Sequence, residues 1–181
     1  RIDVARPSLS LYRAVGTAQR QWVYALDMPI FHDASLRRNA SYQLISQHPQ
    51  NEAREYALVS YPDYNTGYLT KTEYRVNRQL PDAPSARVID LVKQLGGVDD
   101  DPSAFIQRVL DYFRQQHFSY TLTPPLMGDR PIDHFLFDAK TGFCNHYATA
   151  FVYLMRVADI PARVVGGYQG GEFNSAGWFL E

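Results

Sequence analysis

The chain has one cysteine in 181 residues, Cys144, so no internal disulfide can form and cysteine usage says little about compartment. It has no CxxC and no HxxxH spacing. The mixed set His134, Asp138, Cys144 and His146 falls within 13 residues, but a structural zinc site needs four well-placed ligands. No metal and no cofactor are therefore expected. No apolar run approaches the roughly 18 residues of a membrane-spanning helix, and no signal peptide is legible. There is no basic excess. The net charge is −1, with 10 basic and 7 acidic side chains in the first 80 residues and 8 and 12 in the rest. Neither half is built to grip a phosphate backbone, so no nucleic-acid partner is expected. Internal repeats and low-complexity tracts are also missing. The chain opens at "RIDVARPSLS" without an initiator Met and is expected to be a piece of something longer.

What is present is ordinary globular material, 45% hydrophobic and 20% charged, with 13 tyrosines and 10 phenylalanines. The length allows a sizeable core. Residues 11–29 carry period-two patches, and "SYQLISQHP" (41–49), "EYALVSYP" (55–62) and "TEYRVNRQLP" (72–81) are short β-branched or aromatic runs ending at proline. They predict a small antiparallel β module over 1–81. The period then changes. Val88, Leu91, Val92 and Leu95 share a helical face that Gly96-Gly97 terminates. Asp101 and Pro102 suit the cap and first position of a second helix, whose buried stripe is Phe105, Ile106, Val109, Leu110 and Phe113. "SYTLTPPLMGDRPIDHFLFDAKTG" reads as loop. A third helix is predicted from Cys144 to Ala158, closed by Ile160-Pro161. "ARVVGGY" (162–168) reads as a buried strand and "QGGEFNSAGW" as a polar loop.

Free cysteine is most often a small buried hydrophobe. Cys144 stands in the first turn of its predicted helix, just after Gly142. Unpaired amides and the positive dipole end at such a place favour thiolate over thiol, and the same amides can hold an oxyanion. Tyr147, Ala148, Phe151, Leu154, Met155 and Ala158 follow at core spacing, which would hold the helix start rigid. His146 is a poor base for this thiol, because residues two apart on a helix point roughly 200° apart. An ordering hydrogen bond at the helix start suits it better. His134 lies in the approach loop; His32, His48 and His117 read as structural or exposed.

"GFCNHYATAFVYLMRVADIPARVVGGYQGGEFN", with the approach "FSYTLTPP…IDHFLFDAKTGFC", resembles the bacterial transglutaminase-like superfamily, most of all the membrane-anchored, extracytoplasmic TgpA type. The resemblance implies an α+β fold with a papain-like, transglutaminase-like core, a Cys-bearing helix on an antiparallel sheet. The small β module (1–81) would precede an incomplete transglutaminase-like domain (82–181). It implies Cys144 as the catalytic nucleophile, a thioester intermediate, Gly142 as a turn residue allowing close backbone approach, and Arg163 as support for a strand. The substrate would be a protein or peptide carrying glutamine or a similar carboxamide, with an amine as acceptor. The setting would be the periplasmic face of the inner membrane, anchored in a longer protein. Asn145 and Asp159 stand where the TgpA type tends to have Glu and Gly. The family's base His and orienting Asp follow the Cys by a few dozen residues in a pattern like "HAWVEV…D", and "GWFLE" ends before it. No His or Asp here is assigned to the triad, and this chain alone is expected not to turn over. Trp22 is too remote in sequence to be equated with the oxyanion-hole Trp of the classical eukaryotic transglutaminases. Two rival readings stand beside this one: a non-catalytic scaffold that kept the fold, and a cysteine peptidase using water as acceptor.

Overall fold

The computed structural model describes residues 10–16, 21–30, 33–48, 54–61, 63–97, 101–167, 173–174 and 179–180. They fall into two compact units, Arg1–Tyr68 and Leu69–Glu181.

Among the described residues of the first unit every helix or strand element is a strand. One sheet has the order β1 (Ser10–Gly16), β6 (Arg54–Ser60), β3 (Pro29–Ile30); the other has β2 (Trp22–Val23), β5 (Leu44–Ser46), β4 (Leu36–Arg38). All pairings in it are antiparallel, with β1 and β6 registered from Ser10↔Ser60 to Gly16↔Arg54. The period-two pattern of β6 decides its facing: Tyr56, Leu58 and Ser60 are buried, Glu55 and Ala57 exposed. Tyr56 and Leu58 join Val23, Leu36 and Leu44 in a small core.

The second unit opens with a correction. Residues 72–81 are not a strand. Lys71–Val76 form helix α1, because Thr70 and Glu73 make a reciprocal cap. Thr70 Oγ1 accepts from the Glu73 amide at 3.2 Å, and the Glu73 carboxylate accepts from the Thr70 amide at 2.8 Å. Tyr74 and Val76 stay exposed, so no buried face existed to draw the segment into a sheet.

Helix α2 (Ala86–Gln94) starts on Ser85, whose hydroxyl accepts from the Val88 amide. It buries Val88, Leu91 and Val92. It ends at Gly96, φ 94°, with the Gly97 amide returning to the Val92 carbonyl at 2.9 Å. Helix α3 (Pro102–Gln115) is capped as expected, the Asp101 carboxylate accepting from the Ser103 amide at 2.9 Å. Phe105 and Val109 are fully buried; Ile106, Leu110 and Phe113 are half-buried.

The expected loop between α3 and the cysteine contains more order than its prolines suggest. Strand β7 (Ser119–Tyr120) pairs in parallel with β8 (Thr141–Gly142). Between them α4 (Pro131–Asp133) runs into a π-helix, His134–Ala139. The wide turn buries Phe135 and Leu136 without a 3.6-residue period, which is why the sequence pattern conceals it. Arg87 of α2 pins its far end, pairing with Asp138 at 3.0 Å and lying 4.3 Å over the Phe137 ring.

Helix α5 (Cys144–Val157) buries Ala150, Tyr153, Leu154 and Met155 against α2, α3 and the π-helix. Beyond it a second correction applies. Residues 162–167 form no strand, and Val164 and Val165 are exposed. The Ala162 amide is instead taken by the Asn77 carbonyl at 3.0 Å. The "QGGEFNSAGW" loop also contains order: β9 (Phe173–Asn174) pairs antiparallel with β10 (Phe179–Leu180), while residues 168–172 and 175–178 lie outside the described set. Among the described residues no helix is long and apolar enough to cross a membrane.

Candidate active site

Two short strands and a long helix meet at Cys144. Strand β8 leads straight into α5, with Phe143 between them as the helix cap. Strand β7 holds β8 from the side: the Ser119 amide donates to the Lys140 carbonyl and the Thr121 amide to the Gly142 carbonyl, both at 2.9 Å. An aromatic cluster clamps the helix start. The Tyr147 ring lies 5.0 Å from Phe135, 5.8 Å from Phe113 and 6.1 Å from Phe118, and Tyr120 stacks with it at 6.5 Å. Burial among these rings raises the Tyr147 pKa, keeping the phenol neutral.

Cys144 is the first residue of α5 and is exposed to solvent. The His146 and Tyr147 amides both bond to the Phe143 carbonyl, at 2.9 and 3.4 Å. Among the described residues the Cys144 and Asn145 amides meet no acceptor. Two free donors thus sit beside a solvent-facing sulfur, at the end of a helix where negative charge is favoured. Asn145, which stands where the TgpA type tends to carry Glu, accepts from the Thr149 hydroxyl at 3.3 Å and so lies along the helix surface.

His146 turns back over its own helix start. Its Nδ1 accepts a hydrogen bond from the Phe143 amide at 3.3 Å. The ring proton therefore sits on Nε2. The imidazole stands edge-on to the Phe143 ring, centroids 4.4 Å apart. Gly142 makes this possible. A Cβ there would lie 2.9 Å from His146 Cβ and Cγ and 3.0 Å from Nδ1. Gly142 is a strand residue whose φ lies outside the left-handed region, so a side chain, rather than a turn, demands the glycine. This replaces the turn role that the resemblance suggested.

The other sequence candidates scatter. His134 Nδ1 lies 3.3 Å from Met127 Sδ. Asp138 belongs to Arg87. His48 and His117 are exposed, and His32 lies outside the described residues. Among the described residues no cluster of His, Cys, Asp and Glu could hold a metal. Arg163 is exposed and supports no strand; its charge helps lower the pKa of Glu73. The residue that ties down the chain after α5 is Arg156, donating to the Ala162 and Gln79 carbonyls at 2.8 Å each. Sequence reasoning overlooked it because its partners are backbone carbonyls, one of them on the distant Gln79.

Cys144 is thus an exposed thiol at a clamped helix start, preceded by a glycine and a parallel strand pair. Residues 89–179, half of the chain, match the transglutaminase-like superfamily. The chain belongs to that family. Its fold, mixed helix and antiparallel sheet, is the transglutaminase-like one. It is 36% identical over 165 residues to a protein-glutamine gamma-glutamyltransferase of Pseudomonas aeruginosa, covering 90% of this chain and 25% of that protein. It is 33% identical to the uncharacterized protein YebA of Bacillus subtilis, covering 82% of this chain and 20% of that one. The chain thus spans a quarter or less of the curated relatives it matches. Among solved structures, the periplasmic domain of TgpA from Pseudomonas aeruginosa bound to ethylmercury superposes with a TM-score of 0.91 at 33% identity, covering 99% of this chain and 65% of that domain. A second structure of the same domain gives 0.89 at 34% identity, over 97% and 62%.

Proposed function

We propose that this transglutaminase-like chain carries the nucleophile of a cysteine-dependent acyl-transfer site that acts on protein or peptide carboxamides outside the cytoplasm. The observation that carries the reading is Cys144, exposed at the first position of α5 beside two unpartnered amides. In this reading the Cys144 sulfur attacks the carboxamide carbon, and the carbonyl oxygen takes the negative charge within reach of the helix-start amides. Collapse breaks the C–N bond, ammonia leaves with a proton, and a thioester remains. An amine then attacks the thioester carbon, forms the new amide and returns the thiol. The proton transfers need a base, which we assign to the His and Asp that the family carries beyond the segment matched here. The name of the Pseudomonas aeruginosa relative supports glutamine as acyl donor, and the periplasmic origin of the solved domains supports the compartment.

The test uses the longer natural protein and the 181-residue chain in one assay, following amine incorporation into a glutamine-containing protein together with ammonia release. The longer form should show both, and Cys144→Ala should abolish both. The 181-residue chain should turn over several orders of magnitude more slowly, the usual consequence of losing a triad base. Activity that survives Cys144→Ala would remove the thiol mechanism.

A further inference from the structure

The geometry points to His146 as a positioning residue for Cys144, a neutral imidazole that locks the helix start from inside rather than a base for the thiol. The inference rests on the reading of Cys144 as nucleophile. Three observations carry it. First, Nδ1 is already engaged by the Phe143 amide at 3.3 Å, so that lone pair cannot also take a proton from sulfur. His146 occupies the third helical position, and side chains of Glu or Gln there make the same return bond to the cap amide in ordinary capping boxes. Secondly, the ring lies against Gly142 so closely that the strand position admits no side chain. The strand carrying the approach and the helix carrying the thiol are thereby pressed together across one imidazole. Thirdly, Phe143 and Phe135 flank the ring, with centroids 4.4 and 5.8 Å away, which leaves it little freedom to turn toward another partner.

The consequence is specific. Phe143 is the residue immediately before Cys144, and its carbonyl takes the His146 and Tyr147 amides. With its own amide held by Nδ1, Phe143 is fixed on both sides, and the direction of the free Cys144 and Asn145 amides is fixed with it. Preorganisation of this kind matters only if those amides must meet developing charge.

The sole thiol of the chain gives a direct readout. Iodoacetamide labelling of the 181-residue chain measures Cys144 whether or not turnover occurs, so failure of the acyl-transfer reading would leave this result legible. His146→Ala should slow labelling about five- to tenfold, the weight of one hydrogen bond and its order. His146→Gln, whose amide oxygen can accept from the cap amide, should restore the rate to within about twofold. In the longer natural protein, His146→Ala should lower kcat about tenfold with KM little changed, and His146→Gln should again recover it. His146→Gln decides the matter even if the alanine variant fails to fold. A loss of a thousandfold or more in kcat with His146→Gln would make His146 the base and overturn the proposal. Equal labelling and equal kcat in wild type and His146→Ala would overturn it too.

Discussion

Gly142→Ala is the most direct probe of the Cys144 helix start. The backbone at Gly142 suits any residue, so the whole effect must come from what the new methyl meets. It would stand 2.9 Å from two carbons of His146 and 3.0 Å from Nδ1, well inside ordinary van der Waals contact. The ring lies between Phe143 and Phe135, so it yields by giving up the Phe143 amide. Overpacking of a tight site costs about 1–3 kcal/mol. The lost hydrogen bond adds about 0.5–1.5 kcal/mol. Together they predict about 2–4 kcal/mol of destabilisation in urea unfolding followed by circular dichroism. The decisive measurement is a cycle with His146→Gly, which removes all three crowded atoms. On that background Gly142→Ala should cost less than about 0.5 kcal/mol, giving a coupling at the upper end of what contacting residues show. Additive costs in the two backgrounds would refute the contact as the reason for the glycine.

Leu154→Ala should cost about 2–5 kcal/mol, since Leu154 is fully buried, and Phe151→Ala should cost less because Phe151 is only half-buried; the same urea titrations check the order. Asp159 ends α5 at φ 62° while pairing with Arg78, so Asp159→Gly should stay within about 0.5 kcal/mol of wild type, relief of the left-handed residue offsetting the lost surface pair. Asp159→Ala loses the pair without that relief and should cost about 1–2 kcal/mol; equal effects of the two variants would sink this account. The Glu73 pKa is lowered, first by the Thr70 amide and then by its hydroxyl, so the cap is at full strength above the ordinary glutamate value and weakens as pH falls through the depressed one. The Thr70 amide resonance should report that acid-side titration, and Glu73→Gln should keep the cap and flatten the curve. Burial raises the Tyr147 pKa, so its contribution to stability holds below the ordinary tyrosine value and is lost as pH rises past it; Tyr147→Phe should make the protein more resistant to alkaline unfolding.

Local signals were enough for much of the second unit. Asp101-Pro102 announced the start of α3, Gly96-Gly97 the end of α2, and the apolar spacing after Cys144 delimited α5 within a residue. These features act over one or two turns, where a cap or a glycine outweighs everything distant. The place of Cys144 at its helix start followed from the same reasoning, whereas its exposure to solvent did not. Thr70-Lys71-Thr72-Glu73 carried an equally local capping signal, which the alternation of Tyr74 and Val76 masked.

The tertiary structure decided what depended on distant partners. No local period could show the π-helix, because its wide turn exists to bury Phe135 and Leu136 while Arg87 holds its far end. Residues 162–167 have the β-branched content of a strand, but the Asn77 carbonyl and Arg156 hold the start of the segment against the chain after α1. The pairing of β7 with β8 joins residues more than twenty positions apart, and a parallel pair leaves no hairpin turn to read. The helix position of Cys144 was a property of the sequence. The single imidazole that closes Gly142 against that helix, and the two unpartnered amides beside it, arose only when strand and helix met.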